Sequence, residues 1–591
     1  MKKILLILIF MVSIIQAKEL MFANNASNRQ EVVKTLRKQA VIQKAFAVEW
    51  ARKSGVPVMI DNGFKKMELM RVENNKPLYY TTFNVDTAIS AASDKVRGVF
   101  PFNVTGSNTV VGIWDGGTVL HTHQEFTDNR VVLKDVLASH YHATHVGGTI
   151  GAAGIYALSK GMAPDVTIHS YDWNNDLAEM TAVAASYPAE SNTIYLSNHS
   201  YGYISGWNYN GDIWAWHGHY ANSSFGQEYG FGMYMSDTRA YDNLVYNAPY
   251  YLPFKASGND RNDGPPAEGV PFLYWDGSVK TNTGYSTTSD PAGDGQYKEG
   301  YDTIGYIGNA KNILTVGAVN AAVSSGERAL VNATMSSFSS WGPADDGRIK
   351  PDVVADGVNL LSTYNSSDSA YAIMSGTSMA TPSVCGSAAL LIELYEKYFP
   401  VEKAMRASTL KGLIIHTADD LGRPGPDYIN GWGLVNTKSA AYLLKDLDQG
   451  DNIRVDEAML NTSTDQSKLY KFKSDGNHPI RVTLCWTDPP GTATSANDSR
   501  TPVLVNDLDL KVISGTSTNY PYSLSYTYPT SNATYTAENN IDNVEQVYIA
   551  SPPKGVYTIL VDYDGTLTDS KQWFSLIVSG NVKLGTMLLY W

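Results

Sequence analysis

The run TVVGIWDGG, Thr109–Gly117, is a short apolar strand that stops on an Asp and two glycines. Three later runs have the same form: TIYLSNHSYG (Thr193–Gly202), YLPFKASGND (Tyr251–Asp260) and NILTVGAVN (Asn312–Asn320). Each ends in polar or glycine residues, and helical segments separate them between about Thr87 and Leu443. Such alternation predicts an α/β fold, a parallel sheet with helices on both faces and function at the carboxyl ends of its strands.

Outward from this core the pattern changes twice. Glu31 to Ser54 places apolar residues at helical spacing with basic residues between them, and Gly55 is a fitting stop. Val56 to Phe83 then reads as two extended runs, with turn signals at Asp61-Asn62-Gly63 and Asn74-Asn75-Lys76-Pro77. Beyond Leu444-Lys445-Asp446 the helical period gives way to six alternating runs within Asn452–Gly580, the pattern of an antiparallel β-sandwich. The expected division is 1–17 signal peptide, 18–84 N-terminal unit, 85–446 α/β domain and 447–591 C-terminal β-sandwich.

The 591 residues carry a net charge of −13 with no basic stripe, which argues against nucleic acid as a partner. Charged residues make up 17%, against roughly 25% in an average soluble chain, while Tyr, Trp and Gly are abundant. That mixture suits exported, sheet-rich and loop-rich proteins. Two cysteines, Cys385 and Cys485, exclude a disulfide framework. Met1-Lys2-Lys3, the apolar run Ile4–Ile15 and Gln16-Ala17-Lys18 read as a cleaved signal peptide, the run being shorter than the ~20 residues of a membrane span. With no cysteine near the start for a lipid anchor, a soluble protein secreted to the periplasm or the medium is expected.

Four segments carry residues fit for chemistry. Asp115 closes the first strand, where an Asp is ordinarily a turn or cap. His142 and His145 lie in HATHVGGT (His142–Thr149); their spacing is wrong for a zincin, and a metal site needs a third ligand. Ser378 lies in SGTSMATP (Ser375–Pro382), at the opening of an apolar helix whose free N–H groups could hold an oxyanion. Asn259, at the end of its strand, could add a side-chain donor. Each is weak alone, but the ordered set Asp, His, Asn, Ser is specific.

In these segments the chain resembles the subtilisin-like serine peptidases, the subtilases. Gly376–Pro382 matches the serine motif, His142–Thr149 the histidine motif and Ser257-Gly258-Asn259 the oxyanion segment. Asn198-His199-Ser200-Tyr201-Gly202, Phe338–Pro343 and Lys350–Ala355 extend the likeness over about Val110–Asn436. The resemblance implies that Ser378 is the nucleophile, His142 the base, Asp115 its partner, and Asn259 with the Ser378 N–H the oxyanion donors. It implies that Ser200, Tyr201 and Gly202 pair with the backbone of a protein or peptide substrate. A monomer needing no cofactor for its chemistry is expected. Two positions depart from the family pattern: Gly116 stands where Ser or Thr is usual, and Asp356 where Pro is usual.

Further expectations attach to single residues. His145 is read as structural, Cys385 and Cys485 as buried thiols, and Met379 as an accessible, oxidisable neighbour of the cleft. Trp207–Tyr234 and Asp260–Tyr306 are read as extended surface loops shaping that cleft. By resemblance, residues 18–84 are a reduced pro-domain or a retained extension, and the C-terminal unit is a jelly roll. Structural Ca2+ is expected, with Asp507, Asp509 and Asp542 as candidate ligands. The competing readings are a catalytically silent binding or adhesion protein on the same fold, and a sedolisin-like acid peptidase. The silent protein would normally have lost a triad residue, and the acid peptidase uses Glu and Asp where this chain has His142 and Asn259.

Overall fold

The computed structural model describes residues 26–61, 66–73, 76–82, 88–450, 454–580 and 582–583. The expected signal peptide lies outside the described residues. The N-terminal unit comprises helix α1 (Ala26–Ser54) and strands β1 (Met59–Asp61), β2 (Lys66–Glu73) and β3 (Lys76–Thr82), joined antiparallel. The helix starts ahead of the Glu31 read from the sequence, and there are three strands rather than two.

The central sheet holds β4 (Val110–Asp115), β5 (Val131–Leu133), β6 (Thr167–Asp172), β7 (Leu196–His199), β9 (Leu252–Ala256), β10 (Leu314–Val319) and β11 (Val353–Asp356). Its order is β11-β10-β9-β7-β4-β6-β5, parallel throughout. Burial on both faces makes its strands continuous apolar runs. One large aliphatic cluster joins Val111, Ile113, Phe254 and Leu314 to side chains of helices α2 (Tyr141–Gly151), α5 (Thr377–Tyr398), α6 (Ala407–Thr417) and α7 (Thr437–Asp448). A second, aromatic cluster sets Trp114, Tyr171, Trp173 and Tyr201 against Met180 of α3 (Asp176–Val183) and Tyr241 of α4 (Ser236–Asn247). All four strands read from the sequence lie in this sheet.

Two findings alter the expected layout. β8 (Tyr201–Tyr203) leaves the central sheet and pairs antiparallel with β3, aligning Thr82 with Tyr201, Thr81 with Gly202 and Tyr80 with Tyr203. The N-terminal sheet thus runs β1-β2-β3-β8 across the unit boundary. The stretches read as surface loops fold on each other instead. Trp207–Tyr209, Trp214–Trp216, Phe272–Trp275 and Val279–Asn282 form a four-stranded sheet with a core of Trp207, Trp216, Phe272 and Tyr285. Large aromatic side chains give these short strands enough apolar area to pack.

The C-terminal unit is two antiparallel sheets. One joins Arg454–Asn461, Lys571–Ser579, Ile480–Trp486 and Val544–Ile549; the other is built on Asp507–Ser514, Gly555–Asp564 and Lys468–Ser474. Both line one apolar cluster that includes Leu460, Val482, Trp486, Leu510, Ile559 and Phe574. Among the described residues no helix is long and apolar enough to cross a membrane.

Candidate functional site

Parallel pairing sets the carboxyl ends of β4, β7 and β9 side by side. Asp115 closes β4 without solvent exposure, and its Oδ1 accepts the Gly116 N–H at 2.7 Å. Glycine in place of the family's Ser or Thr therefore leaves the carboxylate a backbone donor. Helix α2 opens after His140, whose ring accepts from the His142 N–H at 3.4 Å. His142 Nδ1 lies 2.8 and 2.7 Å from the two Asp115 oxygens. A carboxylate only accepts, so Nδ1 carries the hydrogen and Nε2 is the basic nitrogen.

The helix bearing His142 is held by the hairpin Val358–Tyr364/Ala370–Ser375. Ser362 Oγ donates to the His145 carbonyl at 2.8 Å and Thr363 Oγ1 to that of Thr144 at 2.7 Å. A Cβ at Gly148 would strike both hydroxyls, so only glycine lets the hairpin come this close. His145 Nε2 reaches the Ala372 carbonyl at 3.1 Å, and burial pushes its pKa down to about 3. It is a neutral bridge between helix and hairpin, as expected from the sequence.

Ser378 is the second residue of α5, whose cap Gly376 adopts φ 155° and ψ 167°, a conformation essentially restricted to glycine. First-turn N–H groups have no partner inside the helix and point out of its positive end. The Thr377 N–H and hydroxyl both donate to Asn259 Oδ1, at 2.9 and 3.0 Å. With its oxygen so gripped, Asn259 turns its NH2 away from Thr377. This orienting role of Thr377 was missed in the sequence, although the residue lies within the serine motif.

Ser200 does something other than the sequence suggests. Its hydroxyl donates to the Ser378 carbonyl at 2.7 Å and accepts from Asn198 Nδ2 at 2.9 Å, while its own carbonyl accepts the Ser378 hydroxyl at 2.9 Å. The Ser378 hydrogen is therefore spent on Ser200 and is not aimed at His142 Nε2 in this state. Tyr201 and Gly202 already have a strand beside them, β3 of the same chain. Beneath them Lys255 Nζ lies 4.4 Å from the Tyr201 ring, its pKa lowered to about 7 by burial.

Met379 is fully buried in the aliphatic cluster, which corrects the expectation of an accessible thioether. One helical step past Ser378 turns its side chain inward. Cys385 and Cys485 are buried free thiols, as expected. Asp356 accepts the Val358 N–H at 3.2 Å, so a side-chain turn occupies the place of the family's Pro. Of the candidate metal ligands, Asp542 spends both oxygens on Ile349 and Asn539, whereas Asp507 and Asp509 each keep one buried oxygen without a partner. Among the described residues, the acidic group that gathers ligand atoms within 4.8 Å is a different one, Asp302, Asp345 and Asp498.

Residues 106–433 match the Subtilase family, S8 peptidases. The chain is 33% identical over 150 residues to Subtilisin DY of Bacillus licheniformis, covering 25% of this chain and 44% of that protein. It is 29% identical over 280 residues to Subtilisin-like protease SBT3.10 of Arabidopsis thaliana, covering 43% and 32%. A longer alignment, 24% identical over 569 residues, joins it to Serine protease/ABC transporter B family protein tagD of Dictyostelium discoideum, covering 79% and 28%. In each case less than half of the relative's own length is matched.

Proposed function

Because this chain belongs to the subtilase family, a family of serine peptidases, we propose that it is an exported serine endopeptidase made with an N-terminal unit that fills its substrate edge until removed. The observation that carries the reading is the buried pair of Asp115 and His142, with Nε2 left basic. Ser378 turns from Ser200 toward His142, gives up its proton to Nε2 and attacks the peptide carbonyl, forming an acyl-enzyme. His142 then delivers that proton to the leaving amine, and water completes the hydrolysis by the same route. Asp115 holds the ring and stabilises its cation. The Asn259 NH2 and the Ser378 N–H meet the oxyanion, and loss of one such donor costs about 100- to 1000-fold in turnover.

β3 lies where an extended substrate would add to Tyr201 and Gly202. Because β3 fills that edge through Thr82, the proposed pro-domain junction lies beyond this residue. The test compares wild type, Ser378→Ala and Asn259→Ala on casein. Ser378→Ala should abolish cleavage, and Asn259→Ala should lower kcat far more than it changes KM. Equal activity of wild type and Ser378→Ala ends the assignment. N-terminal sequencing of the active form should begin beyond Thr82; an active form that retains α1 overturns the pro-domain reading.

A further inference from the structure

Asp302, Asp345 and Asp498 come from three distant segments, two in the α/β domain and one in a loop of the β-sandwich. One carboxylate oxygen from each lies within 4.8 Å of the others. Asp302 and Asp345 are 5% and 3% exposed. Neither oxygen of Asp345 has a hydrogen-bond partner, nor does Oδ1 of Asp302. These unpartnered atoms converge over Gly232, where a Cβ would collide with oxygens of both residues.

Backbone contacts fix the loops. The Asp345 N–H donates to the Gly232 carbonyl at 2.9 Å and the Asp302 N–H to that of Gly342 at 2.8 Å. Lys298 bonds the remaining oxygen of Asp302 and lies 2.7 Å from Asp498 Oδ1 and 3.2 Å from the Tyr526 hydroxyl. Arg500 donates to the Asp345 main-chain carbonyl and not to its carboxylate. The two cations thus leave a pocket of bare oxygens on the side of Asp345. Burying such oxygens without a partner is costly, and a hard cation is the partner that three carboxylates suit.

We propose that Asp302, Asp345 and Asp498 hold a calcium ion that ties the α/β domain to the C-terminal β-sandwich. Calcium takes oxygens at about 2.3–2.6 Å in irregular geometry, so two ligands on opposite sides of it stand about 4.8 Å apart, whereas magnesium demands a tighter, near-octahedral shell. Lys298 lowers the net charge of the cluster, which places the site among the weaker calcium sites, of about 0.1–1 mM. The competing solution is a proton shared by Asp302 and Asp345, since burial and its acidic neighbours push Asp345 up to about 8.

The test uses the full chain carrying Ser378→Ala, which cannot digest itself, stripped with a chelator and titrated with calcium chloride by calorimetry. Asp345→Asn and Asp498→Asn in this background should each bind one equivalent fewer than the parent, or bind it at least ~100-fold more weakly. Calcium held elsewhere is common to all three proteins and cancels. Unchanged stoichiometry and affinity in both variants would overturn the proposal, as would equal binding of magnesium chloride alone. Asp498 lies on a half-exposed loop, so its variant keeps the test decisive if Asp345→Asn fails to fold.

Discussion

Where the N-terminal unit meets the α/β domain, each ion pair keeps a partly solvated partner, although the Glu68 carboxylate is buried against Trp173. Arg71 pairs with Asp237 at 12% and 20% side-chain exposure, Arg29 reaches Glu190 at 2.9 Å, and Val32 and Leu36 add a small apolar contact on Ala178. Where the β-sandwich meets the same domain, Lys311 and Asp488 lie 2.7 Å apart with no exposure at all. Lys311 also donates to the carbonyls of Pro489 and Val503, Asn312 exchanges hydrogen bonds with Asp488, and Cys485, Val544 and Ile577 join the central apolar cluster. Partly solvated ion pairs can be given back to water at little cost, but fully buried ones leave uncompensated charge when separated. The first interface therefore costs less to separate than the second, as the proposed removal of the N-terminal unit requires.

Three measurements would break or sharpen that contrast. Asp488→Ala leaves Lys311 charged and buried and should cost about 3–5 kcal/mol by denaturant unfolding of the Ser378→Ala chain; a loss below about 1 kcal/mol would put the two interfaces in the same class. A smaller effect concerns pH. Glu179, which accepts from Trp114 Nε1 at 3.1 Å beside the α1 contact, is pushed up to about 8 by burial, with Asp135 adding to it. A raised carboxyl pKa gives stability that is whole below about 4.5 and is lost as pH rises through about 8. Glu179→Gln should therefore reduce the fall in stability between pH 5 and pH 8 by up to about 3 kcal/mol. An unchanged slope would sink this account of the N-terminal interface. Least costly is Arg71→Ala, expected to remove at most about 1 kcal/mol while hastening release of the N-terminal unit; slower release would contradict it.

The residues proposed for catalysis were legible because each lies in a contiguous motif. His142 and Gly148 share one helix, and Gly376, Thr377 and Ser378 one helix start. The parallel sheet was legible for a similar reason, since burial on both faces writes strands such as Leu314–Val319 as unbroken apolar runs. What the sequence hid depends on contacts between distant segments. Nothing local to Lys76–Thr82 says that it pairs with Tyr201–Tyr203. The aromatic strands around Trp207 and Phe272 are too short to show a period, and only their mutual packing makes them a sheet. Met379 was misplaced because adjacency to Ser378 in sequence says nothing of the inward turn of a helix. Asp302, Asp345 and Asp498 form no cluster until three chain segments fold together.

Trp173, fully buried, donates its indole N–H to Glu68 of the N-terminal unit at 2.8 Å. An indole's emission depends on its surroundings. Departure of β2 would take away the carboxylate and admit water, shifting the Trp173 emission to longer wavelength. The proposed release of the N-terminal unit would thus carry its own optical label, readable in real time without any added dye.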